Sequence, residues 1–238
     1  IRLSLVGSEM CIRDRNRGRH SKLRRIIFFD LDGTLTDAGP GIKACINYAL
    51  DKMKLEKLGP ESDWVVGPSL WGSFKKLGVP EEDLNYAVDL YRERYDVKGY
   101  IENSVYTGIP EQLSELKSMG YVLGVATSKP TASAISILEY FQLSRYFSYQ
   151  FGSNLDGSLS DKSSLLQHAL STTGSQPSDA LMIGDRRYDI IGAKSNLIKS
   201  IGVSYGYGSI NELRAAGADC LIKETRELAT VVNKLLPI

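Results

Sequence analysis

Two carboxylates one residue apart, Asp30 and Asp32, close a run of four apolar side chains, Ile26, Ile27, Phe28 and Phe29. Gly33 and Thr34 then turn the chain. A short apolar run ending in acids and glycine reads as a buried strand with its charges at the C-terminal tip. In open α/β sheets that tip is where ligands bind. Carboxylates this close do not ionise freely unless a cation joins them. Two further apolar runs end in the same way. Residues 121–126 lead into Thr127, Ser128, Lys129 and Pro130, and residues 180–183 deliver Gly184 and Asp185, with Asp189 four positions later. A hydroxyl at a strand tip can donate to a phosphate oxygen, and the helix N-terminus that follows favours anions. Asp185 at a tip and Asp189 on the next helical turn can reach one cation. Singly, each has a plainer reading as an acidic turn or a helix cap. Lys162, in SDKSSLL, reads by itself as a solvated lysine before a helix.

The elements that must position these residues alternate. After the first strand comes the breaker cluster 37–41, then Ile42, Cys45, Ile46, Ala49, Leu50 and Met53 at helical spacing. A second helical stretch holds Leu84, Ala87, Val88, Tyr91 and Tyr95. Residues 38–105 read as a helical block without a convincing strand. From residue 106 onward helix and strand alternate: helix to Gly120, strand 121–126, helix through Phe141, short strand 147–151, helix through Leu170, strand 180–183, helix from Ile190, strand 200–203. A capping box at Ser209 and Glu212 opens the next helix. A short strand at 220–222 and a final helix complete the chain. Such alternation implies a parallel sheet covered on both faces. The expected fold class is α/β, a doubly wound parallel sheet interrupted after its first strand by an all-helical insertion.

Composition narrows the function classes. The 238 residues suit one α/β domain with an insertion, and no run reaches the roughly 18 apolar residues of a membrane span. Cys11, Cys45 and Cys220 have neither metal-ligand nor CxxC spacing and read as reduced cytoplasmic thiols. The first 15 residues, IRLSLVGSEMCIRDR, look like translated sequencing-adapter read-through, so residues 1–22 are expected to be non-native or disordered. The net charge is +1 overall and +6 within residues 1–25, which leaves −5 for the remainder. No basic footprint for a nucleic-acid polymer remains in the folded part. Monomer and dimer both stay open.

The segment FFDLDGTLTD, together with Thr127-Ser128, Lys162 and IGDRRYD, resembles the four motifs of the haloacid dehalogenase-like superfamily of phosphohydrolases. The resemblance runs from about residue 25 to the C-terminus. It implies a Rossmann-like core over residues 23–37 and 106–238, with a helical cap over 38–105. It implies that Asp30 is the nucleophile, Asp32 the general acid/base, and Thr127 a phosphate ligand assisted by Ser128 and the amides near Gly33. It gives Lys162 a new meaning, as the cation that offsets the carboxylates and phosphoryl group. It implies Mg²⁺ as cofactor, held by Asp30, the main-chain carbonyl of Asp32, Asp185 and Asp189. The KPxP form around the motif lysine is absent, and SDK stands in its place.

Within the superfamily the likeness is to the phosphoglycolate-phosphatase-like and 5′-nucleotidase-like group. The implied partner is a small phosphorylated metabolite, either 2-phosphoglycolate or a nucleoside 5′-monophosphate. In the expected cap, Gly67, Pro68 and Ser69 resemble the substrate-facing loop, and Arg92 and Arg94 are candidates for a substrate carboxylate or phosphate. Trp64 and Trp71 read as either a substrate-facing surface or cap core, with core the preferred reading, and His20 and His168 read as non-catalytic. A mutase of the β-phosphoglucomutase type and an inactive binding protein are the alternatives. A phosphonatase would need a cap lysine such as Lys43, Lys52, Lys54 or Lys57.

Overall fold

The computed structural model describes residues 25–238. The expectations for residues 1–22, Cys11 and His20 lie outside that range. The chain starts with β1 (Ile26–Phe29) and turns into the two-residue β2 (Thr36–Asp37). Three helices follow, α1 (Gly39–Lys52), α2 (Leu70–Lys76) and α3 (Leu84–Arg94), and α3 runs into a wide turn over Tyr95–Gly99. The chain returns through β3 (Ser104–Val105), then α4 (Ile109–Ser118), β4 (Val122–Pro130), α5 (Thr131–Tyr140) and β5 (Tyr149–Ser153). It continues with α6 (Lys162–Thr173), β6 (Ala180–Gly184), α7 (Arg187–Ser195) and β7 (Lys199–Val203). The last elements are α8 (Ile210–Ala216), β8 (Cys220–Ile222) and α9 (Leu228–Leu235).

Six strands form one parallel sheet in the order β5-β4-β1-β6-β7-β8. This is the doubly wound sheet expected from the alternation. Every residue of β1 is buried, and the strand serves two cores by parity. Ile27 and Phe29 join one cluster with Leu123, Val125, Leu181 and Ile183, whereas Ile26 and Phe28 join the other with Ala126, Ala180 and Met182. A sheet covered on both faces demands such unbroken apolar runs.

The strand order reverses beside β1, because the chain passes first to β4 and β5 and then crosses to β6. Open α/β sheets place their ligand crevice at that reversal, outside the carboxyl ends of the strands. Register brings the tips level, since Phe29 pairs with Val125 on one side and Ile183 on the other. Asp30, Thr127 and Asp185 therefore emerge at one edge of the sheet.

Three local expectations are corrected. Residues 38–105 are not free of strand, because β3 pairs antiparallel with β2, Thr36 opposite Val105 and Asp37 opposite Ser104. β4 does not stop at Ala126. It runs on to Pro130, which pairs with Ser153 across a register shift, so Thr127 and Ser128 sit in an irregular strand end. The Ser209–Glu212 box is half formed. Ser209 Oγ accepts from Glu212 N–H, but the Glu212 carboxylate is taken by Arg186 and Arg187.

Candidate active site

Asp30 continues the β1 ladder by donating its N–H to the Ile183 carbonyl at 2.9 Å. A tight turn follows in which the Leu31 carbonyl accepts from the N–H groups of Leu35 and Thr36. Gly33 takes φ +87°, and an ideal Cβ there would stand 2.2 Å from Asp185 Oδ2. Only glycine lets this turn lie against the acid. The Gly33 N–H donates to the Thr36 carbonyl at 2.7 Å. In this structure that donor is engaged within the turn, and the geometry requires the glycine's conformation.

Lys162 is the first residue of α6, whose N-cap Asp161 accepts from Ser164 N–H. Its side chain is 3% exposed and spans the site. Nζ lies 3.0 Å from Asp30 Oδ1 and 2.8 Å from Asp189 Oδ1, and donates to the Ala126 carbonyl at 2.8 Å. Burial opposes its charge, but Asp189 and Asp30 together outweigh burial and hold the ammonium above the usual lysine range. The plain reading of Lys162 as a solvated lysine fails, because the side chain is buried between Asp30 and Asp189.

Asp185 is fully buried, and its Oδ2 accepts from Tyr207 N–H at 2.8 Å. Asp189 lies on the first turn of α7, and its Oδ2 accepts from Arg186 N–H at 3.0 Å. Carboxylate oxygens of Asp30, Asp185 and Asp189 lie within 4.8 Å of one another. Burial, and then the charges of Asp189 and Asp30, push the Asp185 carboxyl well above its ordinary value. Burial likewise raises Asp189, with Lys162 pulling the other way. Three buried acids against one ammonium leave a deficit of two positive charges. Hard oxygen donors with that deficit fit a divalent cation such as Mg²⁺. The Asp32 carboxylate stands outside this group.

Asp32 instead meets Lys129, 2.9 Å from Oδ2, while its Oδ1 is buried without a hydrogen-bond partner among the described residues. Burial raises the Asp32 carboxyl, and Lys129 partly offsets that. Lys129 also donates to the Tyr95 hydroxyl at 2.8 Å. Burial pushes the Tyr95 phenol up to about 12. Thr127 is buried, and its hydroxyl accepts from Lys129 N–H at 3.3 Å.

The site opens into a cavity of about 670 Å³ between the sheet edge and the helical insertion. Asp30, Asp32, Thr127, Ser128 and Lys129 line one part, and Gly67, Pro68, Ser69, Trp71, Tyr91, Arg92, Tyr95 and Tyr100 line the rest, with Tyr140 and Leu155. Trp71 packs against the core as preferred and also lines the cavity, with the Arg92 guanidinium 5.4 Å from its ring. Arg92 also donates to the Leu155 carbonyl at 2.8 Å. Arg94 is not among the cavity residues. Both of its terminal nitrogens are committed to Glu102, at 2.6 and 2.8 Å, which removes it as a substrate-binding candidate. Lys43 and Lys57 pair with Asp63 and Asp51, and no lysine of the insertion lines the cavity. His168, in α6, packs edge-on against Phe151 of β5.

The sequence reading missed Lys129, Arg186, Tyr205 and Tyr207. Tyr205 donates to the Thr34 carbonyl at 3.0 Å, and the Tyr207 hydroxyl bonds Asp37 and accepts from Gly39 N–H. Lys129 and Arg186 each adjoin a residue that was singled out, so adjacency to a strand-tip motif was the available signal.

Residues 27–203 match the haloacid dehalogenase-like hydrolase family. The chain belongs to that family. It is 42% identical over 191 residues to a 5′-nucleotidase of Pseudomonas aeruginosa, across 79% of this chain and 86% of that protein. It is 35% identical to the tyrosine-protein kinase PtkA of Mycobacterium tuberculosis, across 77% of this chain and 63% of that one. Among solved structures, a predicted phosphatase from Clostridium acetobutylicum superposes with a TM-score of 0.86 at 43% identity, across 89% of this chain and 99% of its own. The expected enzyme class, a phosphomonoester hydrolase on a doubly wound core, holds.

Proposed function

We propose that the protein is a Mg²⁺-dependent phosphatase that works through an aspartyl-phosphate on Asp30. The observation that carries this reading is the buried cluster of Asp30, Lys162, Asp185 and Asp189 at the sheet's switch point, with Asp30 lining a cavity of small-molecule size. Phosphate-monoester hydrolysis is slow enough uncatalysed that rate enhancements reach about 10²¹-fold, so both a nucleophile and charge stabilisation are required. Mg²⁺, held by Asp30, the Asp32 carbonyl, Asp185 and Asp189, would neutralise phosphoryl oxygens and the crowded acids. Asp30 attacks phosphorus, with Lys162 keeping its carboxylate ionised and in place. Thr127 and Ser128 hold phosphoryl oxygens through their hydroxyls. Asp32 hands a proton to the leaving oxygen and then takes one from the water that cleaves the acyl-phosphate. Residues 38–105 serve as the cap, which excludes water and selects the leaving group.

Cavity chemistry favours a nucleoside 5′-monophosphate over 2-phosphoglycolate. A cavity of about 670 Å³ lies within the roughly 300–1,000 Å³ typical of drug-sized ligands, and a two-carbon acid would leave most of it empty. Its aromatic lining suits a planar ring. A substrate carboxylate would meet Arg92, whose guanidinium also donates to the Leu155 carbonyl, whereas Lys129 is paired with Asp32 and the acids Asp96 and Glu139 are part of the wall. The nucleotidase relative supports the same choice. The absence of disulfide spacing supports a cytoplasmic setting.

The deciding experiment is hydrolysis of p-nitrophenyl phosphate, then of a panel holding nucleoside monophosphates and 2-phosphoglycolate. Activity should need Mg²⁺ and vanish with chelator, and kcat/KM should be higher for the nucleotides. Asp30→Asn should lower kcat by about 10⁴-fold or more. Full activity in Asp30→Asn would sink the mechanism.

A further inference from the structure

The phosphatase chemistry leaves one buried guanidinium without a task. Arg186 stands between Asp185 and α7 and is 6% exposed. Its main-chain N–H serves the site by donating to Asp189 Oδ2. Its side chain leaves the sheet edge altogether. Nε lies 3.0 Å from Glu212 Oε1 on α8, and Nη1 donates to the main-chain carbonyl of Val66 in the helical insertion. Val66 opens the stretch 66–69, whose Gly67, Pro68 and Ser69 line the cavity.

Two features make this a fixed arm rather than an adaptable contact. A guanidinium is a rigid planar fork, so clamping Nε on Glu212 also dictates where Nη1 points. Glu212 is itself held from the other side, because the same Oε1 accepts from Arg187 N–H at 3.0 Å. The loop is shaped to the arm as well. Gly67 adopts φ +106°, and an ideal Cβ there would stand 2.8 Å from Arg186 Cγ. A side chain at position 67 would push the loop off the arginine stem.

We propose that Arg186 is a positioning residue that sets where residues 66–69 stand over the phosphate site, with Glu212 as its anchor. One residue then ties both halves of the pocket together: its backbone orients a metal-site acid, and its side chain places the loop that meets the rest of the substrate. Glu212 supplies the neutralising charge that a buried guanidinium requires. The kinetic arm of the test rests on the phosphatase reading, and the structural arm does not.

The test compares Arg186→Met, Arg186→Lys and Glu212→Gln with the unaltered full chain. Hydrogen exchange over residues 62–72 and the emission of Trp64 and Trp71, the two tryptophans of the chain, report the loop directly. Misplacing a binding group by about 1 Å can cost up to 10²-fold. Arg186→Met should therefore speed exchange in this stretch and raise KM for adenosine monophosphate about tenfold, with a smaller fall in kcat. Arg186→Lys keeps the charge on Glu212 but loses the fork, so it should recover thermal stability without recovering KM. Glu212→Gln should loosen the same stretch to a lesser degree, and it decides the matter if Arg186→Met does not fold. Unchanged exchange and KM in these variants would overturn the proposal, as would complete rescue by lysine. If the unaltered protein hydrolyses no phosphate ester, the phosphatase reading fails while the exchange arm still tests the loop.

Discussion

Lys162 holds Asp30, Asp189 and the Ala126 carbonyl with one ammonium. Replacing it by methionine leaves three buried acids without a protein cation. Breaking a buried pair by removing one partner costs about 3–5 kcal/mol, so Lys162→Met should lower the urea midpoint in metal-free buffer. Loss of one charge-stabilising donor typically costs about 10²–10³ in kcat, and the same variant should show that loss with p-nitrophenyl phosphate. An unaltered midpoint would contradict the ion-pair geometry. Away from the site, Arg94 draws the Glu102 carboxyl below its ordinary value through paired hydrogen bonds. A depressed acid contributes stability above its unfolded pKa and loses it as pH falls through the folded value. The difference in melting temperature between the protein and Glu102→Gln should therefore be present at pH 6 and shrink toward about pH 3. Asp30 and Asp185 at strand tips, and Asp189 on the helical turn after one, were legible as a set, although each alone has a plainer reading. Lys129 was not, because a lysine in TSKP reads equally well as solvated, and only the approach of Tyr95 from the insertion buries it. The commitment of Arg94 was hidden for the same reason, since Glu102 lies beyond a wide turn that no residue pattern announces.

Helix α6 places Lys162 at its first residue, so the start of the helix also sets where the ammonium stands between Asp30 and Asp189. Asp161 caps it by accepting from Ser164 N–H at 2.9 Å. Asp161→Ala should cost about 1 kcal/mol, and fraying of that turn should lower kcat beyond what stability loss explains. Equal kcat in a folded Asp161→Ala protein would show that the lysine is held by its ion pairs alone. The strands and long helices were readable because their apolar residues recur at the periods of 2 and 3.6. Where the reading erred, a tertiary partner decided the matter. β4 extends through Lys129-Pro130 because β5 offers Ser153 as a partner. Glu212 abandons the reciprocal cap because a buried guanidinium binds it more strongly than an exposed N–H would. β3 was invisible because two residues carry no periodicity, and it exists only opposite β2.

Across the whole molecule, the cluster of Asp30, Asp185 and Asp189 makes stability a test of the proposed cation. Anything that binds the folded state alone stabilises it by mass action, about 2.7 kcal/mol at a hundredfold excess over Kd. For a chain of this length that is a rise of about 5–10 °C in Tm. Calorimetry with Mg²⁺ and with chelator should show the rise, and Asp185→Asn should abolish it while remaining folded. Equal Tm in both buffers would exclude a resident cation at this site. No helix among the described residues is long and apolar enough to cross a membrane. The insertion leaves through Thr36 and Asp37 and returns through Ser104 and Val105, directly opposite. To the sheet, everything between is one hairpin loop with adjoining ends. An insert of another length with the same end spacing would meet the sheet in the same way, and the strand tips that carry Asp30 and Asp185 would not have to move.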